Sequence, residues 1–158
     1  MTTNPTTAED RLTTLGLHLP DAPTPFSAHM PAVQTGTLLA LSGMRATSGH
    51  TATVVGIVGK DLDVKAGREA ADTAARHVRA LTKQQRGSLH CVSHVVRRGV
   101  YVAATPEFTE HPRVADAASE LLRDVFGDRT VSSHLVFGVA SLPLGSPVEL
   151  EVICEVQP

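Results

Sequence analysis

Residues 63–87, DVKAGREAADTAARHVRALTKQQRG, carry the strongest periodic signal in the chain and constrain its fold most. Val64, Ala71, Ala74, Ala75, Val78 and Leu81 fall on one side at helical spacing, whereas Arg68, Asp72, Arg76, Arg79 and Lys83 lie outside that stripe. Asp63 is placed to cap this helix and Gly87 to stop it. A helix with one apolar side needs an apolar layer beneath it, and the segments around this one read mostly as strands.

Residues 30–34 and 38–42 flank Thr35-Gly36 and read as a hairpin; ATSGHTA (46–52) reads as a loop and residues 53–58 as a short strand. HCVSHVVRRGVYVA (90–103) is too rich in β-branched residues for a helix and reads as a strand bent at Gly99. Thr105-Pro106-Glu107 reads as a helix start; the helix resumes after His111-Pro112 and runs to Gly127. Residues 134–140 and 148–156 read as two last strands joined by LPLGSP. The order β-β-(β)-α-β-α-β-β is that of an α+β sandwich with a mixed sheet and two main helices on one face. The other face is left bare, so self-association is expected.

A chain of 158 residues is about one domain's worth. Residues 1–25 read as a tail, a short helix over 8–16 and a Pro-rich connector, and residues 26–158 as the domain proper. With 14 basic against 16 acidic residues, and only four Phe, one Tyr and no Trp, neither phosphate binding nor base stacking is provided for, which argues against a nucleic-acid partner. Cys91 and Cys154 lie in apolar runs and read as buried thiols rather than a secreted disulfide framework. The start MTTNPTTAEDR has no apolar signal-peptide core, and no run reaches the roughly 18 apolar residues of a membrane span, so a cytoplasmic, membrane-free protein is expected.

Four stretches carry a family resemblance: LLALSG (38–43), VVGIVGKDLDVKAGREAADTAARHV (54–78), PEFTEHPRVADAASELLRDVFG (106–127) and VFGVASLPLGSPVELEVI (136–153). Over about residues 15–156 the chain resembles the Rid family of reactive-intermediate deaminases, also called endoribonuclease L-PSP-like. The resemblance implies a chorismate-mutase-like fold, a homotrimer with ligand clefts between subunits, a small-molecule substrate, and no metal or organic cofactor. Family members of the typical activity hydrolyse enamines and imines to keto acids and ammonia. Their central arginine, eight positions before the Leu of a Leu-Pro pair, holds the substrate carboxylate through a planar fork of donors.

At that position this chain has His134, a smaller and single-pronged group. Two further departures fall on the same implied cleft: His29 where many relatives have a tyrosine, and Asp116 where many have an asparagine. Glu149, six residues after Pro143, matches the family glutamate that orients the hydrolytic water. The resemblance therefore implies His134, Glu149 and His29 as the catalytic set, the two histidines meeting across a subunit boundary, against a plain reading in which the histidines mark drift without activity. Missing the arginine predicts weak action on simple 2-imino acids, by about 2 to 4 kcal/mol of lost charge-assisted bonding.

Arg45 and Asp116 are the candidate substrate-binding residues. Arg45 follows Leu-Ser-Gly and either supplies positive charge from a new direction or is a solvated surface group. Glu149 and Glu151 share one strand face, and Arg97 and Arg98 point to opposite faces, so only one of the two can turn inward. Ser141 reads as a hydroxyl capping the turn. His90 and His94 would lie about 13 Å apart on a strand, too far for one ion; His29, His134 and Glu149 have the right types for a metal but no compact motif supports one. Gly59-Lys60 lacks a phosphate-loop pattern. The functional expectation is an enzyme acting on a small imine or enamine, by hydrolysis or a related tautomerisation or cyclisation. The alternatives are a non-catalytic metabolite-binding trimer and, against the charge balance, an endoribonuclease.

Overall fold

The structure is a computed structural model, and it describes residues 7–25, 28 and 30–158. A short helix α1 (Ala8–Thr14) opens it, begun by a capping box in which Thr7 and Asp10 bond each other's backbone N–H groups. The strands β1 (Ala32–Thr35) and β2 (Leu38–Arg45) form the expected hairpin. Then come two short strands, β3 (Thr47–Ser48) and β4 (Thr51–Ala52), the long helix α2 (Val64–Arg86) and the strand β5 (Val92–Ala103). Helix α3 (His111–Phe126), strand β6 (Ser133–Val139) and strand β7 (Val148–Val156) complete the chain.

Five strands make one sheet in the order β1-β2-β7-β5-β6, with β5 and β6 parallel and every other neighbour antiparallel. The helices α2 and α3 pack on each other and on one face of that sheet. Alternation along central β7 shows how the sequence builds it: Val148, Leu150, Val152, Cys154 and Val156 are buried beneath the helices, whereas Glu149, Glu151, Ile153 and Glu155 point the other way. The α2 stripe answers this apolar layer with Ala71, Ala74, Ala75, Val78 and Leu81, all buried. Its start is fixed by Asp63, whose carboxylate accepts from the Ala66 N–H at 2.8 Å, and its end lies at Gly87. Gly67 faces Val114 so closely that an added Cβ would stand 3.1 Å from its methyl, which is how α3 comes this near.

Several expectations need correction. Residues 53–58 form no strand: Gly56 has φ 141°, open to glycine alone, and its N–H donates to the Gly145 carbonyl while the Val58 N–H donates to that of Ala103. The segment is an irregular bracket tying the entry of β7 to the end of β5. Residues 46–52 are not a plain loop, because β3 and β4 pair there. No helix forms at Thr105–Glu110; a turn closed by Phe108 N–H on the Thr105 carbonyl leads to α3, which starts at His111 with Pro112 in its first turn, where a missing N–H costs nothing. A 3-10 turn, Gly127–Thr130, follows α3 without a sequence signal having marked it. Strand β5 shifts register beside Ser93 and Val96, not at Gly99. Arg79, expected outside the helix stripe, is fully buried. Among the described residues no helix is long and apolar enough to cross a membrane.

Candidate functional site

Two groups of polar side chains stand on opposite faces of the sheet. The first is a row across four strands on the face without helices. Arg45 on β2 pairs in register with Glu149 on β7, Glu149 with Tyr101 on β5, and Tyr101 with Phe137 on β6. Leu39 and Leu41 of β2 face the helices, and strict alternation would put Arg45 with them. A register shift between Leu41 and Met44, where Gly43 has φ 72°, instead turns Met44 inward and Arg45 to the open face.

There Arg45 Nη1 lies 3.1 Å from Glu149 Oε1, with Arg45 only 6% exposed and Glu149 20%. The reading of Arg45 as a solvated surface group is therefore corrected. Its backbone is pinned from behind, since the buried His77 of α2 donates Nδ1–H to the Arg45 carbonyl at 2.7 Å. Tyr101 and Phe137 stack beside the pair at a centroid distance of 6.0 Å, and Phe137 is 47% exposed. Arg97 and Glu151 form a looser pair at 3.7 Å on the same face.

The second group sits on the helix side of the edge strand β6. His134 is the register partner of Arg98. Arg98 shares the orientation of the buried Val100 and Val102 and feels Asp116 and Arg123 of α3. His134 shares that of Val136, which packs on the core, and Gly138, where an added Cβ would collide with the His111 imidazole of α3. Desolvation and then the Arg98 charge hold the His134 imidazole below its ordinary 6.5, with Asp116 opposing them, so it is neutral at pH 7. Desolvation and then Arg123 lower the Arg98 guanidinium, again against Asp116.

The structure thus pairs Arg45 with Glu149 and places Asp116 within electrostatic range of His134 without an ion pair between them, and it keeps Glu149 and His134 on different faces. His29 lies outside the described residues. Sequence reasoning missed the place of Arg98: it required one of Arg97 and Arg98 to turn inward, and the parallel register with β6 decides that Arg98 does so and meets His134. It also passed over Tyr101. The hydroxyl that caps the turn before β7 is Ser146, buried and donating to the Val148 carbonyl at 3.2 Å, rather than the exposed Ser141. Among the described residues no three His, Cys, Asp or Glu side chains converge to hold a metal.

This architecture is matched by known proteins. Residues 9–156 fit the profile of a family described as "YjgF/chorismate mutase-like, putative endoribonuclease". The chain belongs to the YjgF/RidA family. Among YjgF/RidA relatives, the Trypanosoma cruzi "Protein TCP17" is 35% identical over 143 residues, covering 89% of each chain. The crystal structure of Atu1372 from Agrobacterium tumefaciens, a protein of unknown function, is 33% identical with a TM-score of 0.86, covering 95% of this chain and 92% of that one. A "putative endoribonuclease" from Shewanella oneidensis is 27% identical with a TM-score of 0.90, covering 95% and 99%. The α+β fold and the mixed five-stranded sheet are those of the YjgF/RidA family.

Proposed function

We propose that this protein is an enzyme of small reactive nitrogen compounds, acting on an imine or enamine in clefts completed between copies of the chain. The observation that carries this reading is the division of the candidate residues between two faces of one sheet. Glu149 with Arg45 faces away from the helices, while His134 at the sheet's edge faces them, within electrostatic range of Asp116 on α3. A reaction that uses both groups needs the edge of one copy set against the open face of another, the kind of assembly that the family resemblance implies.

In that cleft Glu149, oriented by Arg45, accepts a proton from water as the water oxygen adds to the imine carbon. The C=N π electrons move to nitrogen, which takes up a solvent proton relayed through His134, one imidazole nitrogen donating as the other accepts. Collapse of the carbinolamine forms the carbonyl, expels ammonia and regenerates both groups. In a tautomerisation of the same imine Glu149 would take its proton from the carbon next to C=N, and in a cyclisation from an internal nucleophile in place of water, with nitrogen served by the same relay.

The test is the rate at which the purified protein accelerates hydrolysis of 2-imino acids freshly generated by an amino-acid oxidase, followed by trapping of the imine. We expect acceleration, reduced about 100-fold or more in Glu149→Gln. Absence of acceleration across small, branched and aromatic imino acids, alongside activity appearing in His134→Arg, would overturn the deaminase reading. A second reading has its own observation: Glu149 is already engaged by Arg45, which suits a trimer that holds a metabolite without converting it. That reading predicts ligand-dependent stabilisation with no turnover.

A further inference from the structure

We propose that Arg98 is the anion anchor of this cleft, gripping a small organic monocarboxylate from the strand next to His134. The inference rests on the cleft reading above and adds to it a residue and a ligand charge. The ion pairs among the described residues are Arg45–Glu149, Arg68–Glu120, Arg76–Asp72, Arg97–Glu151 and Arg113–Glu110, and Arg98 is in none of them. Its Nε donates to Ser132 Oγ at 2.9 Å, which fixes the plane of the guanidinium. Neither Nη donates to a described residue. Arg98 is only half-buried, so this end of the fork can reach a ligand.

A half-desolvated guanidinium, oriented through Nε and with both Nη groups still to be satisfied, is preorganised for a planar bidentate acceptor. The charges around it limit what that acceptor is. Arg98 and Arg123 bring two positive charges and Asp116 one negative, while His134 adds none at neutral pH. The corner is short of one negative charge, which fits a carboxylate better than a doubly charged phosphate. His134, adjacent in register, is then positioned beside the bound carboxylate.

His134 resists protonation first because it is partly desolvated and then because Arg98, its register partner, repels its charge. A bound carboxylate neutralises Arg98 and lets His134 take up a proton more readily. Binding therefore carries a titration signature that a merely structural arginine would not give. The charged groups acting on His134 are Arg98 from β5 and Asp116 from α3, and Arg123 of α3 acts in turn on Arg98.

The experiment uses unreactive probes, so that it is separate from turnover. Titration calorimetry with 2-oxobutanoate, its neutral amide and inorganic phosphate is run on the intact wild-type protein, Arg98→Met and Arg98→Lys, with the His134 imidazole followed by NMR. The expected result is binding of the keto acid and not of the amide, weakened at least tenfold in Arg98→Met and less in Arg98→Lys, with the His134 titration moving up on binding. Removing an unpaired, desolvated charge leaves the melting temperature of Arg98→Met unchanged or raised; if that variant fails to fold, Arg98→Gln takes its place. Equal binding by Arg98→Met and wild type, tighter binding of phosphate than of the keto acid, or no binding of the keto acid at all would each overturn the proposal. Arg98-dependent binding without imine hydrolysis would leave the anchor standing and remove the deaminase; hydrolysis lost in Arg98→Met with binding intact would do the reverse.

Discussion

Arg79 has 0% of its surface exposed, and none of its three guanidinium nitrogens finds a hydrogen-bond partner among the described residues. Burial, and then the like charge of Arg76, bring its guanidinium down to about 10, with Asp72 and Asp124 only partly offsetting them. A buried cation in this state opposes folding at every working pH. Arg79→Met is therefore expected to raise stability by roughly 1 to 3 kcal/mol in chemical denaturation, because it keeps the aliphatic packing and removes the charge; a fall in stability would mean that the field of Asp72 and Asp124 outweighs desolvation. His134 contributes in the opposite sense. Its imidazole is harder to protonate folded than unfolded, so it favours the folded state above about pH 6.5, and that contribution drains away as pH falls through 6.5 toward the lower folded value. Wild type should thus lose more melting temperature than His134→Gln between pH 8 and pH 5. Cys154, buried under the helices and near Cys91, is pushed up to about 12, first by burial. Iodoacetamide at pH 8 should leave it unmodified in the native protein and modify both cysteines after unfolding.

Helix α1 is held to the domain by the buried Ala8 and Leu12 and by one carboxylate. Glu9 accepts from the Ser88 hydroxyl and from the Leu89 N–H, each at 2.6 Å, at the turn that follows α2. Burial pulls this carboxyl upward, but the bonds from Ser88 and the backbone outweigh it and hold it below 4.5. An acid depressed in the folded chain stabilises it above about pH 4.5 and loses that contribution as pH falls through the folded value. Replacing Glu9 by Ala leaves Ala8 and Leu12 as the buried anchors of α1 and should cost about 1 to 2 kcal/mol, read as faster hydrogen exchange confined to α1 and residues 88–90. Elements were the most legible level of this sequence. Both long helices and the last strand follow from periodicity and caps, and the 23-residue α2 lies where Asp63 and Gly87 bracket it. The short pieces were not legible: β3 and β4 contribute two residues each, below the length at which alternation can be recognised. Residues 53–58 have a strand's composition and are bent by the φ of Gly56 and by bonds to partners far along the chain.

At the scale of the molecule the sheet has one covered face and one bare face. The bare side combines the Arg45–Glu149 and Arg97–Glu151 pairs at its centre with Val33, Leu38 and Phe137 toward its two edges, all three exposed. Such a face, mixed in the middle and apolar toward the rims, suits a second copy better than permanent contact with water. Sedimentation equilibrium is expected to give a multiple of the 16.7 kDa chain, three being the number that the family resemblance implies. Phe137→Glu should lower that mass by placing a charge in the contact; a monomeric wild type would sink both this expectation and the two-copy cleft.

The sequence by itself determined that this is an α+β chain with two helices on one side of a sheet, because period 3.6 and period 2 are local properties that survive without a structure. Motifs in linear order also sufficed for the family, and strand alternation for the shared face of Glu149 and Glu151. What only the tertiary structure decided were relations across strands. The bulge at Gly43 carries Arg45 from the helix side to the pair with Glu149, and a one-residue slip of this kind inverts a strand's facing without leaving a mark in composition. The parallel register of β5 and β6 sets Arg98 beside His134, while Glu149 faces away on the other side of the same sheet. Register is fixed by packing and hydrogen bonding between segments distant in the chain, so no window of sequence contains it.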